Sequence, residues 1–395
     1  MRRDPGGSPR PARILTAAAL LMVSLGSLYA WSVLVSPLEA ALDAGRGTVS
    51  GVFSLATVLF ALGMLAGPAL HHRISAAAFG FFVCLLAAGG FAVAALGTVV
   101  AVAVGLGLLF GAANGLGYGF ALHLVQRHLQ RGTGAATGLI VAAYTAGSAG
   151  FAPFLDLGAA RWGLAGTFMA MAIWFVTVGA AVAVLLRGVP SVTSSADIGD
   201  TARRVVPATF PLLWLGFALG AVAGVLALAH AAPLVTALGG GGGEPALGAS
   251  LAAIGNGVGR LLGGWSGERA APLISVAALQ ALAMVGLLSA LFAPGPEVAL
   301  VALGLVGLGY GWMAGAYPVI VARFYGPAQA ARVYGRLFTA WGTAALIAPV
   351  LGGALFDRAG NYRAALAIAA VATLGAAGAL ALLHRLRRPD HPRLD

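Results

Sequence analysis

The chain has 395 residues, 60% of them hydrophobic and 9% charged, with a formal net charge of +11. A soluble domain carries about 25% charged residues, so composition excludes a water-soluble globular protein and points to one built for lipid. The positive charge is all Arg, with no Lys in the chain; it is scattered over short links and forms no stripe, which argues against a nucleic-acid partner and fits attraction to anionic lipid headgroups.

Residues 1–13, MRRDPGGSPRPAR, read as a basic, Pro-rich cytoplasmic tail. The apolar run from Ile14 to about Val35 exceeds the ~7–15 residues of a secretory signal's apolar core, so it is read as the first membrane span. A span needs about 20 apolar residues. On that criterion the sequence predicts twelve helices, starting near Ile14, Val49, Ala76, Thr98, Ala135, Gly163, Ala208, Gly248, Leu273, Val298, Val333 and Arg363. Cys84, the single cysteine, lies in an apolar run and reads as a small core residue. The 59 glycines suit helices packed backbone-close in lipid.

Basic loops set orientation. With the N-terminus inside, most Arg residues, among them Arg73, Arg127, Arg131 and Arg187, fall on the cytoplasmic side, and Arg46, Arg161, Arg358 and Arg363 fall outside. Both termini, including a tail at 385–395, are then cytoplasmic, as in a multi-pass protein of the bacterial inner membrane. The longest polar link, 187–207, separates an N-terminal six-helix bundle at 14–186 from a C-terminal one at 208–384.

The halves repeat. GLGYG occurs at 115–119 and again at 307–311. PLEAAL at 37–42 matches PLVTAL at 233–238, Gly51–Gly67 lies over Gly248–Gly264, and Phe154-Leu155-Asp156 echoes Leu355-Phe356-Asp357. Four matches in one order, each about half the chain apart, predict two pseudo-symmetric bundles. Such parallel repeats resemble the plan of major facilitator transporters, in which the substrate site lies at mid-membrane between the halves. The expected fold class is therefore all-α, with twelve transmembrane helices in two six-helix bundles.

One charge lies inside an expected span: Arg260, in GASLAAIGNGVGRLLGG at 248–264. The nearest charges in sequence are Glu244 and Glu268. A mid-membrane Arg costs at least ~2.5–3.5 kcal/mol on insertion scales, so such residues usually face a cavity and act there. The repeat sets Gly63 against Arg260, so the scaffold does not require the charge. A guanidinium is a planar donor fork that matches a carboxylate and stays charged at any relevant pH. The alternative is a structural Arg paired with backbone carbonyls or an acid. Asn256, four residues earlier on the same helical face, either orients Arg260 or donates to an anion; an ordinary interhelical hydrogen bond is the competing reading.

Several strings resemble the oxalate–formate antiporter family and the related monocarboxylate transporters. Asn256-Gly257-Val258-Gly259-Arg260 is similar to that family's helix 8 signature, and Gly264-Trp265-Ser266-Gly267-Glu268-Arg269 to the loop motif after it. Tyr334 to Gly342 resembles helix 11, with Tyr29-Ala30-Trp31-Ser32 and Arg131–Gly138 fitting helices 1 and 5. The resemblance implies that Arg260 binds a substrate carboxylate. It also implies that Tyr29, Tyr118, Tyr144, Trp312, Tyr317, Phe338 and Trp341 line the site, with Trp31 beside them, and that Glu268 and Arg269 belong to a cytoplasmic latch. Lipid-facing or interfacial packing is the alternative for each aromatic. Family members that carry oxalate place a Lys at what corresponds to Trp341. One guanidinium neutralises one negative charge, and a dianion would leave an excess costing several kcal/mol. The expected substrates are thus monoanions such as formate, lactate or pyruvate.

No Asp or Glu falls mid-span in this reading, so the titratable candidates for proton coupling, besides Tyr, are His230 and His123; a His hydrogen-bonded at a helix end is the alternative. Anion exchange is then the natural mechanism, with proton symport as the other mode. The chain holds no nucleophile–base pair, metal cluster or phosphate loop; the glycines at 239–243 precede Glu244-Pro245 and not a Lys-Ser/Thr. No enzyme activity, metal or cofactor is expected, and the partners are a small organic anion and lipid, around a monomer. Efflux of a hydrophobic or cationic compound and a non-transporting sensor of organic acids are the competing functions. Cationic substrates usually require an embedded acid, and the short loops argue against a sensor.

Overall fold

In a computed structural model, the structure describes residues 11–71, 74–128, 133–189, 208–269, 272–292 and 295–386. All regular structure among them is helical: α1 (Pro11–Leu25), a 3-10 segment (Gly26–Leu34), α2 (Val35–Leu42), α3 (Arg46–His71), α4 (Ala76–Ala94), α5 (Val99–Val102), a π segment (Ala103–Phe110), α6 (Gly111–His128), α7 (Thr133–Leu185), α8 (Thr209–Ala237), α9 (Glu244–Arg269), α10 (Pro272–Phe292), α11 (Pro296–Tyr325), α12 (Pro327–Ala359) and α13 (Arg363–Leu386).

Ten helical stretches among the described residues are long and apolar enough to cross a bilayer, with α1–α2 and α5–α6 each counting as one. Two features bring that number to the expected twelve. The 53-residue α7 is two helices joined at Gly163, whose φ of 67° only glycine adopts readily. The 26-residue α9 is long enough to span but is diluted by Asn256, Arg260 and its glycines. α1 starts at Pro11, so the end of the expected tail is already helical. Of the expected link at 187–207, the stretch 190–207 lies outside the described residues.

Local chemistry sets several helix ends. Ser75 and Thr98 accept from the backbone N–H groups of Ala78 and Ala101 at 3.2 and 3.1 Å, capping α4 and α5. Pro296 and Pro327 open α11 and α12, where a missing N–H costs nothing. Large apolar side chains point outward: Val371 on α13 is 71% exposed and Ile173 on α7 is 65% exposed. In water such surfaces would aggregate; in lipid they are the expected face of a span.

The chain falls into two compact units: Met1–Leu28 with Leu55–Ala196, and Tyr29–Ser54 with Asp197–Asp395. Unit 1 is organised around stacked phenylalanines, with Phe91 on α4 at 4.8 Å from Phe110 and 5.8 Å from Phe175. Unit 2 is organised around α8, whose buried face runs nearly continuously from Gly216 to Val235.

A backbone-close helix pair carries Arg260

In unit 2, α9 and α11 meet without intervening side chains. A Cβ at Gly255, Gly259 or Gly263 of α9 would collide with the carbonyl of Gly304, Leu308 or Trp312, and one at Gly307, Gly311 or Gly315 of α11 with that of Ala252, Asn256 or Arg260. Two glycine rows at four-residue spacing therefore lock the helices at backbone contact, which holds Asn256 and Arg260 at a defined height on α11.

On that frame, Arg260 Nε donates to Asn256 Oδ1 at 3.0 Å. Because a guanidinium only donates, the bond fixes the amide orientation and leaves Nδ2 of the fully buried Asn256 as a donor; Nδ2 has no hydrogen-bond partner among the described residues. The Arg260 guanidinium carbon lies 6.0 Å from the Tyr310 ring centroid. Tyr310 is buried, its ring pressed on Gly224 of α8, where a Cβ would occupy the same space. Its hydroxyl accepts from Trp341 Nε1 at 2.6 Å, and the Trp341 ring stacks on Phe338 at 4.9 Å.

Of the residues expected at the site, Arg260, Asn256, Trp341 and Phe338 are thus brought together by Tyr310. Tyr317 lies further along the same aromatic row, stacked on Phe217 at 4.5 Å, and spends its hydroxyl on the Leu213 carbonyl. Trp312 is half-buried with its indole N–H unpartnered among the described residues. Tyr29 and Trp31 sit buried on the 3-10 segment, Trp31 with its ring 5.9 Å from Phe53. The side chains of Glu268 and Arg269, the expected latch, lie outside the described residues. In unit 1, Tyr144 donates to Asn114 Oδ1 at 2.9 Å, and its ring meets the edge of Tyr118 at 5.3 Å. His123 is half-buried on α6.

Sequence reasoning passed over Tyr310 and Asn114. Both stood in the repeat: Tyr310 is the tyrosine of the second GLGYG, and Asn114 directly precedes the first.

His230 occupies a separate polar cluster in unit 2. Arg46 Nη1 donates to the Tyr362 hydroxyl at 3.1 Å, Tyr362 faces His230 Nδ1 at 3.0 Å, and His230 Nε2 faces the Pro349 carbonyl at 2.9 Å. A carbonyl only accepts, so Nε2 carries the proton and Nδ1 accepts from Tyr362; this tautomer is assigned from the network. Arg46 also makes a bidentate pair with Glu39, at 2.5 and 2.8 Å, and lies 3.7 Å over the Phe356 ring. Asp357 accepts from the backbone N–H groups of Arg46 and Gly47 at 2.9 and 2.8 Å, capping α3. Burial pushes the Tyr362 phenol above its usual range, with Arg46 opposing the shift, so it stays a proton donor.

Residues 212–395 match the Major Facilitator Superfamily. A bacterial homolog of the human lysosomal transporter Spinster, in an inward-facing and occupied conformation, superposes with a TM-score of 0.79 over 96% of this chain and 98% of its own, at 14% identity. The chain has the major facilitator fold. A peptide transporter solved with sulfate gives a TM-score of 0.75 at 14% identity, over 97% of this chain and 96% of its own. In sequence, an uncharacterized 38 kDa protein encoded in a 23S RNA operon of Thermoproteus tenax is 29% identical over 381 residues, 94% of this chain and 96% of that protein. Identities of 14% to solved structures speak to fold alone, and the family match covers the second half of the chain.

Proposed function

We propose that this major facilitator protein carries small organic monoanions such as formate, lactate or pyruvate, by alternating access, and that Arg260 binds their carboxylate. The observation that carries the reading is the cation on α9: Arg260, held through Nε by the buried Asn256 on an otherwise apolar helix, is a planar donor group of the kind that matches a carboxylate. Composition supports it, because between Glu244 and Asp390 the only acids are Glu268, Glu297 and Asp357, and none of these lies in the middle of a span. A cation carrier would need an acid there. Trp341, at the slot where oxalate carriers of the resembled family hold a Lys, supports a monoanion over a dianion. The resemblance to oxalate–formate antiporters and monocarboxylate transporters belongs to this same reading, as do the inner-membrane location and cytoplasmic termini.

The mode that fits best is exchange. Both ring nitrogens of His230 are occupied in a neutral network with Tyr362 and Pro349, which supports a structural role over proton carriage. Reconstitution in liposomes with labelled formate, lactate and pyruvate tests the proposal. Uptake of one of these that needs an unlabelled monocarboxylate inside is the expected result. Uptake of none overturns the substrate class, and uptake driven by an imposed pH gradient alone overturns exchange.

A further inference from the structure

We infer that Tyr310 is a second substrate donor beside Arg260, and that Trp341 is the positioning residue that makes it one. The inference rests on the reading of Arg260 as the anion site. Amides and phenols both donate and accept, so neither by itself selects an anion. In unit 2 each is committed by an internal bond. Arg260 Nε takes up the Asn256 carbonyl oxygen, leaving Nδ2 to give. Trp341 Nε1 takes up the Tyr310 oxygen at 2.6 Å, leaving the phenol's proton to give. Among the described residues Tyr310 donates to no other group. A bond received at the oxygen also polarises the O–H and strengthens it as a donor.

The corresponding bond in unit 1 runs the other way round the amide. There Tyr144 donates to Asn114 Oδ1 at 2.9 Å, and Asn114 Nδ2 passes its own proton to the Phe110 carbonyl at 3.2 Å. There the amide nitrogen has a backbone acceptor, whereas in unit 2 Asn256 Nδ2 and the Tyr310 hydroxyl give to no group among the described residues. An amide N–H and a phenol O–H beside a guanidinium suit a carboxylate's two oxygens better than a neutral amide of the same shape, whose NH2 only donates.

The pair lactate and lactamide measures this. Binding of both to the purified full-length transporter in nanodiscs is compared for wild type, Tyr310→Phe, Trp341→Phe and Trp341→His, with Arg260→Ala as reference and a thermal melt of each. Tyr310→Phe should weaken lactate about tenfold or more, the loss of one hydrogen bond to a charged group, and weaken lactamide only a few-fold, the loss of a neutral one. Trp341→Phe keeps the stack on Phe338 but frees the Tyr310 oxygen, so it should narrow the lactate-to-lactamide ratio several-fold, and Trp341→His, which retains an N–H, should restore it. An unchanged ratio in Tyr310→Phe, with lactate binding lost in Arg260→Ala, overturns this inference and leaves the function standing. Wild-type lactate binding in Arg260→Ala overturns the function itself. If Tyr310→Phe does not fold, the contrast between Trp341→Phe and Trp341→His decides, and equal ratios in those two overturn the inference.

Discussion

The two units solve the same packing problem and furnish it differently. In unit 1, α6 lies on α3 with Gly111 at Ala56, Gly115 at Phe60 and Gly119 near Met64. In unit 2, α11 lies on α9 with Gly307 at Ala252, Gly311 at Asn256 and Gly315 at Arg260. One constant offset maps every contact of the first set onto the second. It pairs Phe60 with Asn256 and Met64 with Arg260, and it lays Asn114 on Tyr310. This corrects the sequence alignment, which set Gly63 against Arg260 and the two GLGYG strings against each other. The glycine strings are displaced by one helical turn, and the span alignment by one residue. The physical reason is that a carbonyl seated on a glycine fixes register to the residue, while a short match in a Gly-rich sequence does not. With Met64 at the equivalent place, the fold has no need of a cation there. What unit 1 fills with a thioether and an aromatic ring, unit 2 fills with a guanidinium and an amide.

Gly311→Leu puts a side chain where the Asn256 carbonyl sits. The helices must part, and the expected result is loss of folded protein by size-exclusion chromatography, with Gly115→Leu doing the same in unit 1. Arg260→Ala, by contrast, should leave a folded, inserted protein whose monocarboxylate uptake falls at least about 30-fold, the ~2 kcal/mol or more that losing a charged partner costs. Met64→Ala at the equivalent position should leave uptake within about twofold, since no charge is lost. The next test is thermal. Asp357→Asn weakens two charge-assisted bonds at the start of α3, worth about 1–2 kcal/mol together, and should lower the melting temperature by a few degrees. Asp156→Asn, at the echo of that motif in unit 1, makes no hydrogen bond among the described residues and should shift the melt little. The smallest effect belongs to Tyr144→Phe, which removes one buried neutral bond of about 1 kcal/mol and should leave substrate preference untouched. A change in preference there would put Tyr144 at the substrate.

Much of the molecule was legible before any fold was known. Spans follow from local apolar content, which is why the expected starts at Ala76, Leu273 and Arg363 coincide with or adjoin the observed helix starts, and why Gly163 marks the break inside α7. Arg260 and Asn256 stood out as the polar pair on an apolar helix, and their spacing of one turn is the hydrogen bond observed. Tyr310 does not stand out in the sequence, although GLGYG occurs twice. A tyrosine in an apolar span is ordinary by composition, and its importance comes from Trp341, 31 residues away. The polar cluster around His230 was equally hidden, since it joins α2, α3, α8, α12 and the turn before α13.

Sequence alone determined the all-helical character of the described residues and the apolar content that makes most of their helices long and apolar enough to cross a bilayer. Each of these depends on residue content summed over about twenty positions, and such sums tolerate local error. Tertiary structure decided which face of α9 meets α11, which residue of unit 1 answers to Arg260, and which amide and phenol become donors. Those depend on single contacts between positions far apart in the chain, where a slip of one residue turns a side chain from one partner to another.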